Sequence, residues 1–277
     1  MSDGRIDYRT RLFVALLLSV AAMLAYHTIQ QIDLPHAQLR ANSHIEILNG
    51  TAPAPYRHRV LAPYSAAGLM AVLTPILGSK ERAFLVAYGM FDAAALAFSL
   101  LAIFFYIKRF FAEEHAFIAT LFAAATHVVA LRDYYYQPWS LPEAGLVALG
   151  LMLILDRRTI AFALLTAAAT LNRETGVLLP LCFLAAHADE PKKHAAPIVA
   201  VFAVWAVVFG GLRLALGGGD MLHGLAELWN TNISNLGRAV LNLSLFWARS
   251  GRSCRKDTGE ALGLFAASPS SRRSTSR

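Results

Sequence analysis

Two short stretches of this sequence gather the residue types that can do chemistry. The first, residues 30–59, holds the carboxylates Asp33 and Glu46, the cation Arg40, and the run Asn49-Gly50-Thr51-Ala52-Pro53-Ala54-Pro55-Tyr56-Arg57-His58-Arg59. His36, His44 and His58 lie inside it and His27 at its edge. The second, Leu171-Asn172-Arg173-Glu174-Thr175-Gly176, interrupts an apolar stretch. A carboxylate at a membrane edge, Glu46 or Asp33, can act as a general base on an acceptor hydroxyl or as an oxygen ligand for a divalent cation. The same acids are equally ordinary in a solvated loop. Arg57, His58 and Arg59 suit lipid-phosphate recognition, since a guanidinium binds phosphate through two parallel hydrogen bonds. Generic anchoring by basic residues at headgroup level is the plainer role. Pro53, Pro55 and Pro63 stiffen the backbone around them. Asn172, Arg173 and Glu174 form the sharpest cluster, because ionisable groups inside an apolar stretch are costly and mark functional sites. An Arg–Glu pair that only holds a helix break is the structural alternative.

Other polar residues carry weaker signals. Asp92 lies in an apolar stretch and is expected to face the interior and pair with an arginine. Asp133 and Glu143 flank the aromatic run 134–139; one of them could serve as a second active-site acid, and surface placement is the plainer reading. His27, His44 and His127 lack zinc spacing, and Cys182 and Cys254 are far apart in unlike settings, so neither a metal site nor a disulfide framework is expected. Three glycosylation triplets start at Asn49, Asn232 and Asn242, a pattern common by chance. No phosphate-binding Gly-rich loop or serine-hydrolase elbow is present.

The elements that must position these residues are membrane-like. The chain of 277 residues is 56% hydrophobic and 16% charged, with mean hydropathy +0.47. Soluble domains carry about 25% charged residues. At roughly 20 apolar residues per crossing, the length allows about six to eight spans. The net charge of +7 comes mostly from residues 249–277, which hold seven Arg/Lys against two acids, so nucleic acid is not an expected partner.

The apolar run 12–29 follows Arg5, Arg9 and Arg11 and reads as a retained first helix, since no small-residue cleavage site follows. Basic flanks place the N-terminus in the cytoplasm and Lys108-Arg109, Arg157-Arg158 and Lys192-Lys193 on the same side. That requirement makes 60–77, with Pro63, Gly68 and Pro75, an interfacial helix within a long outer segment, 30–82, rather than a crossing. Crossings are expected at 83–107, 116–131, 141–155 and 196–216. Residues 160–186 read as a hairpin of two short helices broken at 172–176. The expected fold is therefore all-α: a polytopic membrane helix bundle with a long outer first loop, an interfacial helix and a broken-helix hairpin. Residues 1–248 form its membrane domain. Residues 249–277 read as a basic, disordered tail, or as the product of a frameshift or truncation, because the helix expected at 238–248 stops at about half a span.

Glu46-Ile47-Leu48-Asn49-Gly50, Pro55-Tyr56-Arg57-His58-Arg59-Val60-Leu61-Ala62-Pro63 and Leu171-Asn172-Arg173-Glu174-Thr175-Gly176-Val177-Leu178-Leu179-Pro180 together resemble bacterial relatives of the GT-C membrane glycosyltransferases, over residues 10–248. The resemblance implies transfer of a sugar from a polyprenyl-phosphate sugar to an acceptor at the outer face of the inner membrane. It implies Glu46 as the base, with Asp33 second, and Arg57, Arg59 and Arg173 as candidates for the lipid phosphate, with His58, Asn172 and Glu174 around them. No cofactor is implied beyond a divalent metal at the acids. The chain departs from the family in the wide spacing of Asp33 and Glu46 and in ending early. Transport or flipping of a lipid-linked or anionic solute, and a non-catalytic assembly role, are the competing expectations.

Overall fold

A computed structural model describes residues 7–130 and 137–217, apart from the side chains of 127–130. The chain divides into two compact units, Met1–Gly219 and Asp220–Arg277, and everything below concerns the first. The expectations for Asp133, the His127 side chain, the triplets at Asn232 and Asn242, the helix at 238–248 and the basic tail lie outside the described residues. Among those described, every regular element is helical: α1 Tyr8–Thr28, α2 Ala37–Leu48, α3 Leu61–Leu77, α4 Lys80–Ile107, α5 Glu113–Ala130, α6 Ser140–Leu155, α7 Thr159–Asn172, α8 Leu178–Ala186 and α9 Ala195–Leu216. The all-α bundle expected from the sequence is therefore present. Three of its helical stretches, Tyr8–Asp33, Lys80–Ile107 and Ala195–Leu216, are long and apolar enough to cross a membrane.

One expectation fails in an informative way. The stretch 30–59 is not a long loop. A π-helical turn, Ile29–Asp33, extends α1, and α2 follows almost at once. In that wider turn the Leu34 amide bonds to the Ile29 carbonyl, and Asp33 ends up buried. The buried residues of α2, Arg40, His44 and Ile47, recur at helical spacing, but two of the three are polar. Apolar periodicity could not reveal such a helix.

The central element is α4. Its start is capped by Ser79, whose Oγ accepts from the Arg82 amide, and Gly78 ends α3 just before it in a left-handed conformation. Its 28 residues run about 42 Å at ~1.5 Å per residue. It packs on α1, α3, α5 and α6. Alanines at 21, 25, 95 and 124 let the helices approach closely around Leu96, Leu100 and Leu141. Gly145 of α6 sits where a Cβ would lie 2.7 Å from the Ser99 Cα, so no larger residue fits that contact.

The ends of the helices fix the topology. Lys108, just past α4, donates to the Thr10 hydroxyl near the start of α1 at 2.8 Å and pairs with Glu113 at the start of α5. Arg109 pairs with Asp156 after α6. These residues share one end of the bundle, so the stretch between α1 and α4, including α3, begins and ends at the other end. Arg157 and Lys193 line one cleft with His187 and His194, which brings the basic pairs after α6 and before α9 together as well. In the second half, α7 and α8 form the expected hairpin: Phe162 stacks near Phe183 with ring centroids 5.1 Å apart. At its tip Gly176 packs on the Thr170 backbone, with room for no side chain.

Arg157 is strained. It follows α6 with φ 55, the left-handed region, while its amide bonds to Ile154 and the next amide to Leu153. This is the helix-ending motif in which glycine is preferred. Arg157→Gly is expected to stabilise the fold by about 1 kcal/mol, measured as a rise in melting temperature of the purified chain.

Candidate functional site

The opposite end of the bundle collects the sequence-predicted residues. Four segments meet there: the 3-10 turn Tyr56–His58 with Arg59, the start of α6, the 3-10 turn Glu174–Val177 at the hairpin tip, and the end of α9. Arg59 is buried and makes a two-pronged pair with Glu174, Nε to Oε2 at 3.2 Å and Nη2 to Oε1 at 2.8 Å. Its guanidinium carbon also lies 5.0 Å from the Tyr56 ring centre and 5.1 Å from that of Trp139. Arg173 donates to Glu143 at 2.9 Å, and Thr175 donates to the same carboxylate at 2.6 Å. Asn172 donates to the Trp139 carbonyl at 2.8 Å and is buried. The helix break is thus tied to α6 and to the 56–59 turn by charge-assisted bonds on both sides.

Arg57 reaches the Leu216 carbonyl at the end of α9. His58 lies beside Arg213, Thr170, Glu174, Phe209 and Leu212 around a small cavity. Both of its ring nitrogens are buried without a hydrogen-bond partner. Burial, then the charges of Arg213 and Arg57, holds its imidazole below the ordinary value, so it is neutral near pH 7. Among the described residues, Arg57, Arg59, Arg173 and Arg213 share this end with Glu143 and Glu174.

Glu46 sits on the neighbouring face of α2. It lines a cleft of about 430 Å³ with Leu39, Asn42, Ser43, Tyr56 and Trp139. Its carbonyl, not its carboxylate, organises the turn that follows, accepting from the Thr51 and Ala52 amides at 2.9 and 3.1 Å. The side chain is exposed, and among the described residues its carboxylate has no ion-pair or hydrogen-bond partner. Tyr56 and Trp139, ring centres 5.9 Å apart, line this cleft and also contact Arg59, so they bridge the acid to the cationic end.

Asp33 is not part of this cleft. It is buried on the other side of α2, where Arg40 Nη1 lies 2.8 Å from Asp33 Oδ2 and 3.1 Å from Asp92 Oδ2. Asp33 therefore takes neither role expected for a loop acid beside Glu46, as second base or as half of a metal-binding pair. The reason is the π-helical turn, which carries Asp33 inward instead of leaving it in a loop. Asp92 faces the interior and pairs with an arginine, as its position in an apolar stretch suggests. No cluster of three or more metal-ligating side chains occurs among the described residues.

Three partners were not favoured as site residues in the sequence. Glu143 and Trp139 read as surface and headgroup-belt residues, yet Trp139 is 2% exposed and holds Asn172 through its carbonyl. Arg213 carried a signal that was there to be used: a lone charge inside an apolar helix. Comparison with protein-family models, curated proteins and solved structures finds no match.

The Arg59–Glu174 pair gives a direct test. Glu174→Gln leaves a buried guanidinium without its counter-ion. The expected loss is roughly 2–3 kcal/mol, less than for a wholly buried pair because Glu174 keeps part of its solvent exposure. Chemical denaturation in detergent would measure it, and a loss below 0.5 kcal/mol would show that the pair does not hold the hairpin tip.

Proposed function

We propose that this chain is a membrane glycosyltransferase of the GT-C kind, moving a sugar from a polyprenyl-phosphate sugar to an acceptor hydroxyl. The observation that carries the reading is Glu46: a carboxylate without a partner among the described residues, in an open cleft, one aromatic layer away from an arginine-rich end of the bundle. The sugar–phosphate bond is already activated. The protein must orient an acceptor, take its proton and stabilise the charge on the departing phosphate. Glu46 accepts the acceptor's proton as its oxygen bonds to the anomeric carbon. The bond from that carbon to the phosphate oxygen breaks, and polyprenyl phosphate leaves with the negative charge. The guanidinium groups of Arg57, Arg59, Arg173 and Arg213, gathered at this end, favour that anion. Arg59 and Arg173 act from within ion pairs, so each contributes a field and geometry more than a free hydrogen-bonding fork.

The basic pairs at the other end, with Arg5, Arg9 and Arg11, support a cytoplasmic N-terminus and a site at the outer face of the inner membrane. Transport rests on the broken hairpin, which is the kind of feature transporters use. Here its tip is bonded on both flanks, which favours a fixed platform for catalysis over a moving gate.

Membranes carrying the chain should consume a labelled polyprenyl-phosphate sugar. Glu46→Gln should lower turnover about 10²–10⁴-fold while the protein still accumulates and still binds polyprenyl phosphate. Unchanged turnover in Glu46→Gln would remove Glu46 as the base.

A further inference from the structure

The buried cluster between α1, α2 and α4 has a charge that does not balance. Asp33 is 3% exposed, Arg40 5% and Asp92 0%. Two carboxylates against one guanidinium leave one negative charge in a site closed to water. Burying a net charge is expensive, and a buried carboxylate oxygen without a donor adds to the penalty. Three such oxygens occur here: both of Asp33, and Asp92 Oδ1. The Arg40 nitrogen close to Asp33 is aligned as a donor to Asp92, at 3.1 Å, so Asp92 is the carboxylate that Arg40 satisfies. Asp33 Oδ2 and Asp92 Oδ2 lie 2.8 and 3.1 Å from the same Arg40 nitrogen, so the two carboxyl groups converge on one point.

Among the described residues, no second cation lies within ion-pair distance of the two carboxylates. From the turn before α2, His36 Nδ1 lies 2.8 Å from the Ile32 carbonyl. From α2, His44 is buried, and burial holds its imidazole below the ordinary value, so it is neutral. From α4, the Tyr88 hydroxyl shares a hydrogen bond with His44 at 3.0 Å, and its ring lies 4.8 Å from the Arg40 guanidinium carbon. From α3, the residues packed on Tyr88 are Ala66 and Met70.

We propose that this cluster is a proton-binding site: Asp33 carries one proton and donates it in a hydrogen bond to the Asp92 carboxylate, which Arg40 neutralises. The cluster is then electrically neutral, and one O–H···O bond satisfies one oxygen of Asp33 and one of Asp92. The site is independent of the sugar-transfer reading and uses none of its residues. It is also a pH-sensitive latch on α2. The folded chain holds one more proton near neutral pH than the unfolded chain does, so stability falls as the pH rises. Loss of the proton returns the unbalanced charge to the contact that docks α2 on α1 and α4.

The test compares the full-length chain in detergent with Asp33→Asn, which copies a protonated carboxyl in shape, and with the double variant Asp33→Asn/Asp92→Asn. Infrared spectra of the wild type near neutral pH should contain the C=O stretch of a protonated, buried carboxyl, and Asp33→Asn should lack it. Asp33→Asn should melt within roughly 3 °C of the wild type and lose the fall in stability that accompanies a rise from mildly acidic to neutral pH, whereas the double variant, with Arg40 buried and unpaired, should lose roughly 10 °C or more. Absence of the protonated-carboxyl band in the wild type would overturn the proposal. So would a loss in Asp33→Asn as large as in the double variant. A melting temperature that rises with sodium but not with potassium at fixed pH would assign the missing charge to a metal ion instead, and would overturn it too.

Discussion

The arrangement depends first on one buried guanidinium. Arg40 holds the end of α1 through Asp33 and the middle of α4 through Asp92. Without that contact α2 has little reason to dock, since its buried face is Arg40, His44 and Ile47. Leu39 and Ile45 point outward, and Leu48 is only half-buried. A short helix gains most of its stability from an apolar face, and α2 fully buries only one aliphatic residue, Ile47. Polar contacts replace that face: Arg40 to the carboxylates, His44 to Tyr88. Their geometry is more directional than apolar packing, so they fix the rotation of α2 as well as its position. That rotation aims Glu46 at the cleft and away from Asp33.

A second constraint acts at the hairpin. A helix that breaks within an apolar region exposes backbone groups and must satisfy them within the protein. Here Asn172 and Arg173 bond to the start of α6, and Glu174 bonds to Arg59. Each polar residue of the break has a named partner from a different segment. The break therefore gathers the 56–59 turn, Trp139 and Glu143 around itself. The aromatic pair Tyr56 and Trp139 then lies between the hairpin tip and the Glu46 cleft. Two polar devices, one on each side of these rings, give the site its shape.

Much of this was legible in the sequence, for reasons that differ by element. The long apolar runs of α1, α4 and α9 announce themselves by length. Gly78 and Ser79 mark the boundary of α3 and α4, and the basic pairs anticipated which helix ends lie together. The broken hairpin was visible because charges in apolar sequence are costly. The failure was α2. Its inward face is polar, so its pattern resembles a loop, and Asp33 looked solvated when it is buried. The pairing of Arg40 with two acids more than 50 residues apart in sequence has no local signature. Arg59 with Glu174 and Arg173 with Glu143 are of the same kind: the residues were recognisable, but their partners were set by the fold.

The central claim is that Glu46 and the hairpin tip share one end of the bundle, opposite the basic pairs. Labelling of single cysteines with a membrane-impermeant thiol reagent tests this most directly, in a chain whose Cys182 and Cys254 are replaced by serine. Cysteines at Glu46 and Thr175 should react from the same side of sealed vesicles, and cysteines at Arg157 and Lys193 only from the other. Reaction of positions 46 and 175 from opposite sides would contradict the account.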